Sequence, residues 1–191
     1  EGEHQLTGKV KFRWNSGYAL VTRKQPDLRT VQYVQPLTGG NFEVDQDDTR
    51  RFFSDLADHS FSANGALSFP FTFLGQKQQL KVGGSSLVRF RDFKSRIFRY
   101  VPASVNNFED NLVFEPIEKI FAPENIQSRG FVLEEFTNNE DKYFGISVIN
   151  AGFLMFDNKL TDDIRLAWGI RTEFFEQFLR TRDRSAKQVI I

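Results

Sequence analysis

Residues 60–90, SFSANGALSFPFTFLGQKQQLKVGGSSLVRF, decide how the rest of the chain is read. Phe61, Ala63, Gly65, Leu67, Phe69, Phe71 and Phe73 occupy every second position, with Ser60, Ser62, Asn64, Ala66, Ser68, Pro70 and Thr72 between them. After Leu74-Gly75-Gln76-Lys77 the same period returns: Leu80, Val82, Gly84, Ser86, Val88 and Phe90 against Lys81, Gly83, Ser85, Leu87, Arg89 and Arg91. A period of two is that of an extended strand, so the stretch predicts two strands joined by a tight turn. Both exceed the roughly 5–6 residues usual in soluble sheets and the roughly 9–11 that a tilted strand needs to cross a bilayer.

Composition narrows the classes. Twenty-five basic residues balance 25 acidic ones, so net charge points to neither nucleic acid nor an anionic surface. The absence of cysteine removes disulfides, thiolate metal sites and cysteine nucleophiles. Phenylalanine stands out in the composition, at 22 residues. No apolar run approaches the roughly 18 residues of a transmembrane helix, so contact with lipid would have to be made by strands. Neither Glu1-Gly2-Glu3-His4 nor Val189-Ile190-Ile191 reads as a natural terminus, and the expectation is a piece of a longer protein.

In chain order, a turn at Leu6-Thr7-Gly8-Lys9 leads into a strand with Lys9, Lys11, Arg13 and Asn15 on one face and Val10, Phe12, Trp14, Tyr18 and Leu20 on the other. Trp14 and Tyr18 suit an interfacial belt. The strands are expected at about 9–23, 60–73, 78–99, 143–157 and 163–178, with long loops at 24–59 and 100–142. Strict alternation fails near Asp92-Phe93, which predicts a bulge. A helical turn is expected near Pro116-Ile117-Glu118-Lys119 and a short strand from Gly130 to Phe136. Ile164, Leu166, Trp168, Ile170 and Phe174 alternate cleanly with Arg165, Ala167, Gly169, Arg171 and Glu173. Residues 143–157 are apolar at both parities, so their facing stays open.

Two short turns, at 74–77 and 157–162, and a third at Thr7-Gly8 alternate with the two long connections. That arrangement fits an all-β fold: an antiparallel meander of about five long strands, part of a transmembrane β-barrel, with two long extracellular loops. The alternative is a soluble all-β ligand-binding protein, calycin-like or sandwich, in which the phenylalanine rows share one core. Asp45, Asp47 and Asp48 lack the glycine and closing glutamate of a calcium loop and read as solvated charges, so no metal and no cofactor is expected. Arg91, Lys94, Arg96 and Arg99 interleave with Phe90, Phe93 and Phe98, but a neutral chain in strand conformation makes nucleic acid a poor expectation. No catalytic residue is expected: His4 and His59 are the two histidines, no nucleophile motif accompanies Asp55, Asp58 and His59, and the adjacent Glu134 and Glu135 point to opposite faces of a strand.

Gly17-Tyr18-Ala19-Leu20 running into Gln25-Pro26-Asp27-Leu28-Arg29, then Asp47-Asp48-Thr49-Arg50-Arg51-Phe52-Phe53, Phe90-Arg91-Asp92-Phe93-Lys94-Ser95-Arg96, Phe121-Ala122-Pro123-Glu124-Asn125-Ile126 and Trp168-Gly169-Ile170-Arg171 resemble the barrel of TonB-dependent outer-membrane receptors, especially those with a carboxypeptidase-regulatory-like domain ahead of the plug. The resemblance implies a barrel of 22 strands in the cell outer membrane, occluded by an N-terminal plug domain and opened by the TonB complex to import a nutrient. Implied partners are outer-membrane lipid, the plug, the TonB complex through an N-terminal region and a surface lipoprotein. Lys11, Arg13, Arg89, Arg91, Arg165, Arg171 and Glu173 would then face the lumen and plug through hydrated ion pairs. Arg50, Arg51, Phe52, Phe53, Tyr100 and Phe131 are the loop candidates for contact with the ligand.

Overall fold

The computed structural model describes every residue except Asp162, Arg184, Ala186 and Ile191, and of Ile190 the backbone alone. The chain forms β1 (Gly2–Gln5), β2 (Lys11–Thr30), β3 (Tyr33–Val34), β4 (Glu43–Val44), β5 (Arg50–Phe73), β6 (Gln76–Pro102), β7 (Phe131–Glu135), β8 (Tyr143–Lys159), β9 (Arg165–Arg182) and β10 (Gln188–Ile190). Short 3₁₀ turns lie at Asp110–Phe114, Pro123–Asn125 and Asn139–Asp141. One antiparallel sheet runs β1-β2-β5-β6-β8-β9-β10, with β7 added to the far end of β6, while β3 and β4 form a separate hairpin. The sheet is open, with β1 and β10 as its edges.

Directly opposed residues share a face, so the registers assign every long strand. Tyr18 lies opposite Phe61, Phe61 opposite Val88, Val88 opposite Val148 and Val148 opposite Glu176. Three rows on, Phe12, Leu67, Val82, Leu154 and Ile170 follow one another across the sheet. The apolar rows recognised one strand at a time therefore join into a single face. The ambiguous strand resolves: Ile146, Val148, Leu154 and Phe156 of β8 belong to that face, while Ile149, Ala151, Phe153 and Met155 stand on the other. Gly83, opposite Phe153, leaves room for its ring, since a Cβ there would come within 2.7 Å of it.

Among the described residues no second layer covers the apolar face. Phe61 is 47% exposed, Val82 39% and Trp168 55%. Its ring contacts are lateral: Tyr18 against Phe61 at 4.9 Å, Phe61 against Phe90 at 6.1 Å, Phe156 stacked on Trp168 at 4.7 Å. Trp14 falls midway along the face, in the row of Gly65, Gly84 and Gly152, so of the two proposed belt residues only Tyr18 lies near a border.

Several expected boundaries move. β2 runs on to Thr30 and β5 starts at Arg50, so the first connection shrinks from 24–59 to 31–49; β6 reaches Pro102, β8 Lys159 and β9 Arg182. Beyond Phe90 the apolar pattern ends but the ladder does not, and ion pairs and ring contacts replace aliphatic packing. The expected bulge at Asp92-Phe93 is absent, since Ala57↔Asp92 and Leu56↔Phe93 continue an unbroken register. Asp92 remains on the apolar side, above its border, bonded to Lys94 at 2.8 Å. The bulge falls between Gln25 and Leu28 instead, around Pro26, which has no N–H to give to a ladder. A short strand does form at Phe131–Glu135, and residues 116–120 make a hydrogen-bonded turn, with Ile120 N donating to Pro116 O at 2.9 Å.

The turns at 6–10, 74–75 and 160–164 share one end of the sheet, Asp162 of the last lying outside the described residues. The long connections share the other, along with the short 183–187 link. Leu74 and Gly75 take φ of 52° and 74°, the double left-handed geometry of a two-residue hairpin turn. Left-handed backbone costs a leucine about 1 kcal/mol, and Asn tolerates it better. Leu74→Asn is expected to raise the stability of the folded protein by about 0.5–1 kcal/mol in urea titrations; a fall would contradict the turn geometry.

Candidate functional site at the long-connection end

The densest packing in the chain lies where the two long connections meet. Val44, Tyr100, Leu112, Ile120 and Phe131 are buried together, with Val31, Tyr33, Phe108, Val113, Phe121 and Ile126 packed around them. Tyr100 stacks on Phe121 at 3.7 Å, and Phe131 meets Phe108 and Phe121 edge-on at 5.1 and 5.3 Å. Gly130 lets the chain pass this cluster, since a Cβ there would sit 2.1 Å from Asn125 O. The β3–β4 hairpin is tied in by Tyr33 Oη, which donates to Glu115 O at 2.6 Å, and by Gln32 N, which donates to Thr49 Oγ1 at 3.1 Å. The acidic cluster builds the same structure: the Asp45 carboxylate accepts from the amides of Asp47 and Asp48 at 3.0 and 3.3 Å.

The loop candidates divide. Tyr100 and Phe131 are buried, at 6% and 0% exposure, and serve as core of this cap, not as surfaces for a ligand. Arg50, Arg51, Phe52 and Phe53 lie in β5 and not in a loop. Phe53 meets Phe98 edge-on at 5.7 Å with the Arg51 guanidinium over its ring at 5.5 Å. Phe52 sits between Leu28 and Ile97 in the ladder. Arg50 pairs with Asp48 at 3.3 Å. Arg51 forks onto Asp27, donating from Nε at 2.8 Å and Nη2 at 2.9 Å, and Arg29 Nε donates to the same carboxylate at 2.7 Å. The hydrogen bonds from Arg51 and then Arg29 hold the Asp27 carboxyl down at about 2 despite its partial burial.

Exposed apolar tips on the connections went unrecognised in the sequence: Leu37 and Phe42 around the β3–β4 turn, Val105, Phe114 and Ile117. For two of them the signal was an apolar residue directly after proline, Pro36-Leu37 and Pro116-Ile117. A hollow of about 990 Å³ opens below the cap, bordered by Phe53, Ser54, Phe93, Ser95, Tyr143 and Thr181 among others.

Along the wall, the registers put Lys11, Arg13, Arg89, Arg91, Arg165, Arg171 and Glu173 together on the face opposite the phenylalanine rows. The six cations share four carboxylates. Glu3 takes Lys11 at 3.2 Å and Arg13 at 2.6 Å, Asp58 takes Arg91 at 2.5 Å and Arg89 at 3.5 Å, Asp157 takes Arg165 at 2.6 Å and Glu173 takes Arg171 at 2.7 Å. Glu3, Asp58 and Asp157 were not among the residues expected on this face; the Asp58 side chain is 8% exposed, and its Oδ1 accepts no hydrogen bond among the described residues. His59, its neighbour, points to the other face and lies 2.8 Å from Tyr18 Oη, so Asp58 and His59 are split by the sheet. Glu134 and Glu135 also diverge, to Arg99 at 2.9 Å and Arg96 at 2.7 Å.

No family model and no curated protein matches this sequence. The chemistry is therefore read from the arrangement itself: a preformed loop cap with apolar tips, standing on a sheet whose polar face carries ion pairs with cations in excess and whose other face is apolar.

Phe131→Ala is expected to cost the cap about 3–5 kcal/mol and to expose residues 103–142 to limited proteolysis while the ladder stays protected. The Asp27 carboxyl, held below its unfolded value near 4, contributes stability above about pH 4 and loses it as pH falls from about 4 to about 2. Hydrogen exchange of the amides of 28–31 is expected to speed up within that window, and Asp27→Asn to produce the same opening at neutral pH.

Proposed function

We propose that the sheet is a wall segment of a transmembrane β-barrel in the outer membrane, and that the chain is part of a TonB-dependent receptor that imports a nutrient. The observation that carries this reading is the uncovered apolar face. On β6 it extends from Leu80 to Phe90, which at about 3.3 Å per residue and a tilt near 40° stands about 25 Å tall, the height of the lipid-facing band of such barrels. Amides border it on the turn side, at Gln76, Gln78 and Asn158, and charges on the long-connection side, at Asp55, Asp92 and Lys94. A soluble sandwich or calycin would turn the same rows into a shared core, whereas Phe61, Val82 and Trp168 stay open.

On this reading the face bearing Arg89, Arg91 and Arg171 looks into the lumen and towards the plug, and β1 and β10 continue into further strands. The cap is extracellular, and Leu37, Phe42, Val105, Phe114 and Ile117 meet the cargo or a surface lipoprotein. The residues bind and conduct, and no bond is made or broken. Resemblance to the receptor family supplies the transport role; the geometry supplies the band, the polar opposite face and the one-sided long connections.

Fractionation of the full-length gene product tests it. The protein is expected in the outer-membrane fraction, migrating faster on a gel unboiled than boiled. Recovery as a folded protein in the soluble fraction would sink the barrel and the transporter together.

A further inference from the structure

The polar face holds a second hollow, of about 420 Å³, where β6, β8 and β9 run side by side. Three cross-strand rows build it. Arg89, Ser147 and Gln177 follow one another across the sheet, with Leu87, Ile149 and Phe175 in the next row of that face on the turn side and Arg91, Gly145 and Leu179 in the next row on the long-connection side. The two smallest residues, Gly145 and Ser147, lie on the central strand and make the floor, between the longer side chains of β6 and β9. A Cβ at Gly145 would find its nearest neighbour, Leu179 Cδ1, at 3.8 Å, so crowding does not demand a glycine there. Its effect is to leave the floor open.

The polar groups of the middle row keep donors to spare. Arg89 meets Ser60 Oγ at 3.4 Å and Asp58 Oδ1 at 3.5 Å, both through Nε, and its terminal nitrogens donate no hydrogen bond among the described residues. The side chains of Ser147 and Gln177 likewise form none among the described residues. Arg91, by contrast, is committed to Asp58, donating from Nε at 2.9 Å. The Asp58 side chain is covered, so two guanidinium groups face the hollow above a single buried carboxylate. Glu173, the next acidic side chain of this face along β9, is bonded to Arg171 at 2.7 Å. The Phe175 ring is 61% exposed and meets no other ring among the described residues.

We propose that this hollow binds a small aromatic carboxylate, with the carboxylate on Arg89 and the ring against Phe175, Ile149 and Leu87. A guanidinium with both terminal nitrogens available matches the two oxygens of a carboxylate. An exposed ring beside it offers a face for stacking, and the aliphatic side chains of the same row extend that surface. Two strand spacings, about 10 Å, separate Arg89 from Gln177, the span of one substituted ring, and the Ser147 hydroxyl and Gln177 amide lie along it to meet a polar substituent. The volume falls within the range of about 300–1,000 Å³ usual for small-molecule sites. Arg23, Lys77 and Lys81 add positive charge to the same face and favour the approach of an anion. An inorganic anion would give up water to the apolar rows and gain nothing from them, whereas an aromatic acid fits both halves of the hollow. The site belongs to the sheet itself and stands apart from what covers the opposite, apolar face.

The test measures binding of para-fluorophenylacetate to the full-length gene product, by the broadening of its fluorine resonance. Wild type is compared with R89Q, with G145V, which fills the floor with a side chain suited to a strand, and with the control K77Q, which removes one cation of the same face outside the hollow. Wild type and K77Q are expected to bind alike, and R89Q and G145V about tenfold more weakly. Phenylacetate is expected to displace the probe. Acetate, which has the charge without the ring, and phenylacetamide, which has the ring without the charge, are expected to leave it bound at the same concentration. No binding by wild type, equal binding by R89Q, or a loss in K77Q equal to that in R89Q overturns the proposal. Displacement by acetate would show a plain anion site, and displacement by phenylacetamide an apolar hollow indifferent to charge; each overturns it. Wild-type affinity in G145V places the ligand elsewhere and overturns it too, while R89Q, at an exposed position, keeps the test decisive whatever G145V does to folding. Recovery in the soluble or the membrane fraction bears on the transporter reading and not on these affinities.

Discussion

In an antiparallel ladder, two residues directly opposed must lie on the same side, and a slip of one position would send every side chain of a strand to the other. Everything else in this chain depends on that constraint. β5 and β6 are paired without interruption from Arg50↔Arg99 to Phe73↔Gln76, and the two-residue turn at Leu74-Gly75 leaves no slack in which to shift. With that pair fixed, the β2, β8 and β9 registers carry the same parity outward. The result is one hydrocarbon surface and one polar surface back to back, separated by a single layer of backbone. Pro70 illustrates how the sequence respects the ladder: it lies past Ser68, the last β5 residue opposite β2, where one side of the strand has no neighbour to satisfy.

A single layer cannot bury its own side chains, so the chain's compact core is elsewhere. It forms where two connections, distant in sequence, fold onto the ends of β5 and β6 and enclose Phe131, Ile120 and Tyr100. This packing makes the connections a structured cap. The Asp27 fork from Arg51 and the Tyr33 bond to Glu115 anchor it to the sheet on one side and across the two connections on the other. Surfaces that remain apolar and exposed on it, such as Leu37 and Ile117, are consequently held out by a rigid base.

The period-two pattern made the strands legible because each one spends its middle between hydrocarbon-loving and polar surroundings, and alternation is the direct imprint of that. Where the imprint ends, reading the sequence ended too. Residues 50–59 belong to β5, yet Arg50, Arg51, Asp55 and Asp58 dilute the apolar period, and the last three meet partners on other strands: Asp27, Lys94 and Arg91. Asp92-Phe93 suggested a bulge because an aspartate on the apolar side breaks the pattern; the break marks the edge of the band, with geometry unchanged. β8, apolar on both sides, has no parity signal at all, and its register against β6 alone decides it. Tyr100 and Phe131 resembled ligand-stacking residues because exposure in a connection depends on contacts made from more than ten residues away, with Phe121 and Phe108.

Charge is distributed differently on the two surfaces, and the contrast bears on mechanism. On the polar face Glu3, Asp58, Asp157 and Glu173 pair with six of the cations beside them, while Arg23, Lys77 and Lys81 share that face, so it carries an excess of positive charge. Ion pairs this hydrated contribute little to binding a neighbour, about 0–1 kcal/mol each, and are easily exchanged for water. On the apolar side, Arg180 and Arg182 form no ion pair among the described residues. Under the proposed reading, hydrated pairs that exchange easily with water suit a surface along which a plug shifts.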